Sequence, residues 1–134
     1  MLLIDASVWL ELERPRERHH EAARSIVLNR ERPIAALDLT LYEVVNVAVR
    51  KMGQPERARY LSRLISIRCG DELLRIDEEL AAAAAGLATE HGLTAYDAAY
   101  VAASRRHGWT LVSTDSRDLV SKGFAVTPDA AVYP

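Results

Sequence analysis

The chain has 134 residues, 49% of them hydrophobic and 27% charged, the balance of one folded globular domain rather than a disordered chain. Nineteen acidic residues against seventeen basic ones give a net charge of −2, which excludes a nucleic-acid binder that works through a broad positive surface. The lone Cys69 excludes an internal disulfide framework and fits a reducing cytoplasm, and no apolar run reaches the ~20 residues of a membrane span.

Leu2-Leu3-Ile4 is an apolar run that ends in Asp5, the pattern of a buried first strand. No signal peptide is expected, because this start lacks a basic region and a long apolar core. Residues 6–13 read as a turn or short helix ahead of Pro15, and residues 20–29 as a helix with Ala22, Ala23, Ile26 and Val27 on one face. Residues 33–37 form a second short strand. A helix follows over residues 40–52 and stops at Gly53, with Leu41, Val44, Val45 and Ala48 facing inward. Pro55 opens a third helix whose apolar stripe is Leu61, Leu64 and Ile65.

Residues 73–76 are the third strand candidate. Asp77 caps the next helix, which runs through Leu80 to His91 and is closed by Gly92. Residues 94–107 make another helix, closed by Gly108, and residues 109–113 a strand. Residues 115–122 read as a short helix ended by Gly123, and residues 124–127 as a last strand before Pro128. Short apolar strands interleaved with helices predict a mainly parallel central sheet covered on both faces, a three-layer α/β/α domain over residues 1–134. Ligands of open parallel sheets bind outside the carboxyl ends of the strands.

Four acids are expected at that edge. Asp5 ends the first strand, Asp115 follows a later one, and Glu43 and Asp97 sit in the first turns of two long helices among apolar neighbours. Each has a structural explanation when taken singly. Thr40 and Glu43, like Thr94 and Asp97, have the spacing of a capping box, and Asp115 suits an N-cap with Asp118 favoured behind it. Together they conflict with electrostatics. At ~5 Å and an effective dielectric of 20, each carboxylate pair repels by about 3 kcal/mol, so a hard divalent cation is needed to hold them. A set of oxygens with no Cys or His favours Mg²⁺ or Mn²⁺, ions that activate water in phosphodiester cleavage.

The segments Leu3-Ile4-Asp5-Ala6-Ser7, Glu43 with Asn46, Thr94-Ala95-Tyr96-Asp97-Ala98, and Ser113-Thr114-Asp115 with Asp118 resemble the PIN-domain family, and more narrowly its VapC-type toxins. The likeness runs in order from Leu2 to about Thr127. It implies a PIN-like fold and a cytoplasmic endoribonuclease dependent on Mg²⁺ or Mn²⁺, cutting RNA by metal-activated water. Carried over, Asp5, Glu43, Asp97 and Asp115 are the catalytic, metal-site acids, with Asp5 and Asp97 as direct ligands. Asp118 is an auxiliary acid acting through water, Asn46 accompanies Glu43, and Ser7 and Thr114 orient carboxylates or water. The family also implies a homodimer and a VapB-type antitoxin that inhibits the toxin.

Other features are read structurally. His91 and His107 match helix C-termini, His19 and His20 read as solvated, and Cys69 as a packed thiol. Arg14, Arg16, Arg18, Arg24, Arg30 and Arg32 alternate with Glu13, Glu17, Glu21 and Glu31, as on an exposed salt-bridged surface. Trp9 and Tyr42 suit the core, the cleft or a dimer surface. A haloacid-dehalogenase-like phosphatase would need a second aspartate where Ser7 stands, and a phosphorelay receiver a lysine that is missing. The alternative from another class is a non-catalytic module whose acids hold a cation or a basic partner.

Overall fold

Four short, mainly apolar runs become strands between two helical layers, the central ones buried almost throughout and the edge ones partly so. They are β1 (Leu2–Ile4), β2 (Ile34–Leu37), β3 (Leu73–Leu74) and β4 (Thr110–Val112), joined in one parallel sheet in the order β3-β2-β1-β4. The computed structural model describes residues 1–132, so the last two residues of the expected 1–134 domain lie outside the described residues.

Alternation along the strands divides the core in two. Leu3, Ala35, Leu37 and Leu111 face α5 (Glu78–His91) and α6 (Ala95–His107), whose Leu80, Ala84, Leu87 and Ala98 to Ala103 fill that side. Ile4, Ile34, Ala36 and Val112 face the other layer: α1 (Ala6–Glu11), α2 (His20–Leu28), α3 (Leu39–Arg50), α4 (Pro55–Cys69) and α7 (Pro128–Val132). The three-layer α/β/α arrangement read from the sequence is therefore the one observed.

Element ends follow ordinary chemistry. The Asp77 carboxylate accepts from the Leu80 N–H at 2.7 Å and starts α5, and Gly92 and Gly108, at φ 64° and 66°, end α5 and α6 in the left-handed conformation. Three differences from the expected elements are local. The expected last strand over residues 124–127 is reduced to one bridge between Val126 and Val112, and residues 115–122 hold a π-helical turn, Ser116–Val120. Helix α7 (five residues) is too short for a periodic sequence signal; it buries Pro128 and Ala131, packing on the α2 side.

His19 and His20 are not solvated, contrary to expectation. His20 is buried and its Nδ1 lies 2.7 Å from the Glu11 carbonyl, while His19 pairs with Asp129 and ties α2 to α7. His91 and His107 do end their helices, His91 meeting Phe124 edge to face and His107 stacking on Trp109. Trp9 is fully buried, Tyr42 is not, and burial pushes the Cys69 thiol up to about 12, as expected of a packed, unreactive sulfur. Among the described residues no helix is long and apolar enough to cross a membrane.

Candidate active site

The sheet register assembles the site. Ile4 pairs with Val112, so the residues that follow each, Asp5 and Ser113, emerge side by side at the carboxyl edge of adjacent strands. Asp5 is 6% exposed, and its Oδ2 accepts from Ser113 Oγ at 2.6 Å and from Ser7 Oγ at 2.8 Å. Asp5 makes no side-chain cap to α1, and the Ala6 and Ser7 backbone adds weaker hydrogen bonding to its carboxyl. Burial raises the Asp5 carboxyl above its ordinary range, and the two serine hydroxyls oppose that shift.

Ser113, and not the expected Thr114, orients the Asp5 carboxylate through its side chain. Its hydroxyl both donates to Asp5 and accepts from the Asp115 N–H at 3.0 Å. Thr114 contributes through its backbone, whose N–H donates to Ser7 Oγ at 3.0 Å. Strand alternation explains the exchange: Val112 points into one core layer, and its buried neighbour Ser113 leaves the strand toward Asp5. The signal was present in the register, but register is not written in a single sequence.

Glu43 is held by a buried hydroxyl chain. Tyr100 OH donates to Glu43 Oε1 at 2.8 Å and lies 2.6 Å from Thr40 Oγ1, which therefore donates to the tyrosine. This corrects the capping-box expectation: α3 begins at Leu39, so Thr40 lies inside the helix, fully buried, and Glu43 turns toward the sheet edge instead of the backbone. Tyr100 was missed. Its position three residues after Asp97, on the same face of α6, was the available clue.

The remaining acids come from two elements. Thr94 Oγ1 caps α6 by accepting the Asp97 N–H at 3.1 Å, and Asp115 Oδ1 accepts the N–H groups of Arg117 and Asp118 at 3.1 and 2.9 Å. The Asp115 cap is the expected one and Thr94 makes its half of the expected capping box, yet both acids also belong to one acidic cluster. One carboxylate oxygen from each of Asp97, Asp115 and Asp118 lies within 4.8 Å of the others. Lys122 stands 3.6 Å from Asp118 on the outer side.

The acids act on one another. Desolvation raises Glu43 to about 7, with Asp5 and Asp97 adding repulsion and Tyr100 opposing it. Desolvation likewise raises Asp97 to about 6, with repulsion from Asp5 and Asp115 and a smaller push from Asp118. Asp5, Glu43, Asp97, Asp115 and Asp118 thus form one electrostatic unit, with Asn46 exposed beside Glu43 on the same cavity. Shared hard oxygens with no nitrogen or sulfur fit an oxygen-liganded divalent cation, since oxygens bound to one Mg²⁺ or Mn²⁺ lie roughly 3–4 Å apart.

Residues 2–124 match the PIN domain family model. Over 133 residues the chain is 35% identical to Ribonuclease VapC3 of Pyrobaculum aerophilum, spanning 95% of this chain and 98% of that one. Among solved structures, the Mycobacterium tuberculosis toxin VapC20, described as cleaving the sarcin-ricin loop, superposes with a TM-score of 0.72 at 19% identity, covering 93% of this chain and 97% of that chain. A toxin-antitoxin complex from Klebsiella pneumoniae matches at 0.68 and 22% identity, over 96% and 98% of the two chains.

Proposed function

From the premise that the chain belongs to the PIN-domain family, we propose that it is the ribonuclease toxin of a type II toxin–antitoxin pair. Its expected partners are an RNA substrate, a VapB-type antitoxin and a second copy of itself, and an RNA substrate carries with it a cytoplasmic site of action. Residues 1–134 would act as one nuclease domain. The observation that carries the reading is the crowding of five carboxylates at one sheet edge, where they destabilise one another without a cation.

Asp97, Asp115 and Asp118 are the nearest ligand set, with Asp5 and Glu43 completing the negative wall. This gives Asp118 a more direct part than the water-mediated one read from the sequence. Mg²⁺ or Mn²⁺ bound there supplies positive charge to a phosphodiester and lowers the pKa of water. The protein's own groups do the positioning. Ser7 and Ser113 fix the Asp5 carboxylate, and Tyr100 fixes Glu43 by Oε1, so that Oε2 is the oxygen that would accept a proton. A cation lowers the pKa of Glu43 from its metal-free value, so the residue is ionised when the site is loaded.

The test is cleavage of single-stranded RNA with Mg²⁺ or Mn²⁺ by the wild-type chain, Asp5→Asn and Asp97→Asn. Cleavage by the wild type alone is expected, together with a rise in its Tm in millimolar Mn²⁺ that is much smaller in Asp5→Asn. Equal Tm shifts would remove Asp5 from the metal site. A wild type that binds the ion without cutting would leave the non-catalytic alternative.

A further inference from the structure

Tyr42 and Tyr96 are among the most exposed large side chains of the molecule, at 82% and 61%. They come from different helices, α3 and α6, and each immediately precedes an acid of the site, Glu43 or Asp97. Both line one cavity of about 350 Å³ whose other walls are Glu43, Asn46 and Val47. That volume is at the small end of the range for ligand pockets. Single exposed aromatics need no explanation, but two that share a cavity opening onto a reactive carboxylate do.

The electrostatics say what kind of contact they make. The site is a concentration of negative charge in a chain of net charge −2, so it repels the phosphates of a polyanion on either side of the reacting one. A strand can be held beside such a pocket by contacts that do not depend on charge. Stacking of a base on an aromatic face is one, and it is worth a factor of roughly 5 to 100 in affinity per base. Asn46, with both donor and acceptor atoms on its amide, stands where it can address the edge of a stacked base.

We propose that Tyr42 and Tyr96 form a stacking clamp for an unpaired base of the RNA next to the scissile phosphate, with Asn46 reading its edge. This rests on the nuclease reading and extends it to substrate choice: bases that are already unstacked are selected over paired ones. The clamp residues are substrate-binding residues. They touch substrate bases and leave the metal site unchanged.

Steady-state cleavage of a short single-stranded oligoribonucleotide in Mn²⁺ tests this with Tyr42→Ala, Tyr96→Ala and Tyr42→Phe. Each alanine variant is expected to raise KM roughly 5- to 100-fold, with kcat within about twofold and an unchanged Mn²⁺-induced rise in Tm. Tyr42→Phe keeps the ring and should keep the wild-type KM. An oligoribonucleotide bearing 2-aminopurine should lose fluorescence on binding the wild type and regain it in the double alanine variant. An unmoved KM in both alanine variants overturns the clamp while leaving the nuclease standing. So does a fall in sedimentation coefficient, which would make this face a contact between copies. A wild type that neither cleaves nor gains stability from Mn²⁺ removes the nuclease reading and the clamp together.

Discussion

Tyr100 lies between a donor and an acceptor that have no other side-chain partner among the described residues: Thr40 Oγ1 behind it and Glu43 Oε1 in front. Replacing it by phenylalanine leaves a buried hydroxyl orphaned, which costs about 1–3 kcal/mol. Tyr100→Phe should therefore lower the urea midpoint, and Thr40→Val added to it should recover part of the loss, because the orphan is then gone. Glu43 loses the hydrogen bond that favours its ionised form, so its titration in metal-free protein, followed by carboxyl NMR, should move above about 7. Asp97→Asn behaves in the opposite sense. It removes a carboxylate raised by burial and by Asp5 and Asp115, so it should raise the Tm of metal-free protein while abolishing cleavage. A large loss of stability would mean that Asp97 matters chiefly to the start of α6. The acids themselves were legible at the residue scale, because carboxylates among apolar neighbours need an explanation. Their partners Tyr100, Thr40 and Ser113 were not, because a buried hydroxyl in sequence looks like any other.

Helices and turns carry these side chains, and some residues serve both. Asp115 is the plainest case: its Oδ1 caps the π-helical turn Ser116–Val120 through two N–H groups, and its carboxylate faces Asp97 and Asp118. The two roles separate by substitution. Asp115→Asn keeps an oxygen for the cap and should leave the metal-free Tm equal or higher, while losing most of the Mn²⁺-induced rise. Asp115→Ala loses the cap as well, at a cost of about 1 kcal/mol, and should fall below the wild type even without metal. Thermal melts with and without Mn²⁺ decide the matter. Helix ends were readable because glycine and aspartate have few other reasons to stand there, as at Asp77, Gly92 and Gly108. The start of α3 was not, since the capping-box spacing of Thr40 and Glu43 is also the spacing of two residues on one helical face. Residues 124–127 have the composition of a short strand, but only Val126 finds a partner, pairing with Val112.

At the scale of the whole molecule, the parallel sheet decides where charge accumulates. Alternating strands and helices predicted that layout, and the layout brings acids from β1, α3, α6 and the turn after β4 to one edge despite their distance along the chain. The result is a pH dependence whose sign is unusual for acidic groups. Salt-bridged carboxylates have lowered pKa values and give stability that is lost in acid. Here the values of Glu43 and Asp97 are raised, from 4.5 to about 7 and from 3.8 to about 6. Between the ordinary and raised values the folded chain holds protons that the unfolded chain has released. Folding takes up protons in that window, so stability is greatest at its acid end and declines as pH rises toward 7, levelling off above it. After discounting for the half-buried position of both groups, the decline should be about 2 kcal/mol, or roughly 6–10 °C in Tm between pH 5 and 8. A bound cation prefers the ionised carboxylates and competes with those protons. Millimolar Mn²⁺ should therefore raise the Tm most at pH 8 and least at pH 5, flattening the profile. Metal-free melts that hold steady or climb between pH 5 and 8 would show that the five carboxylates do not burden one another in the folded chain.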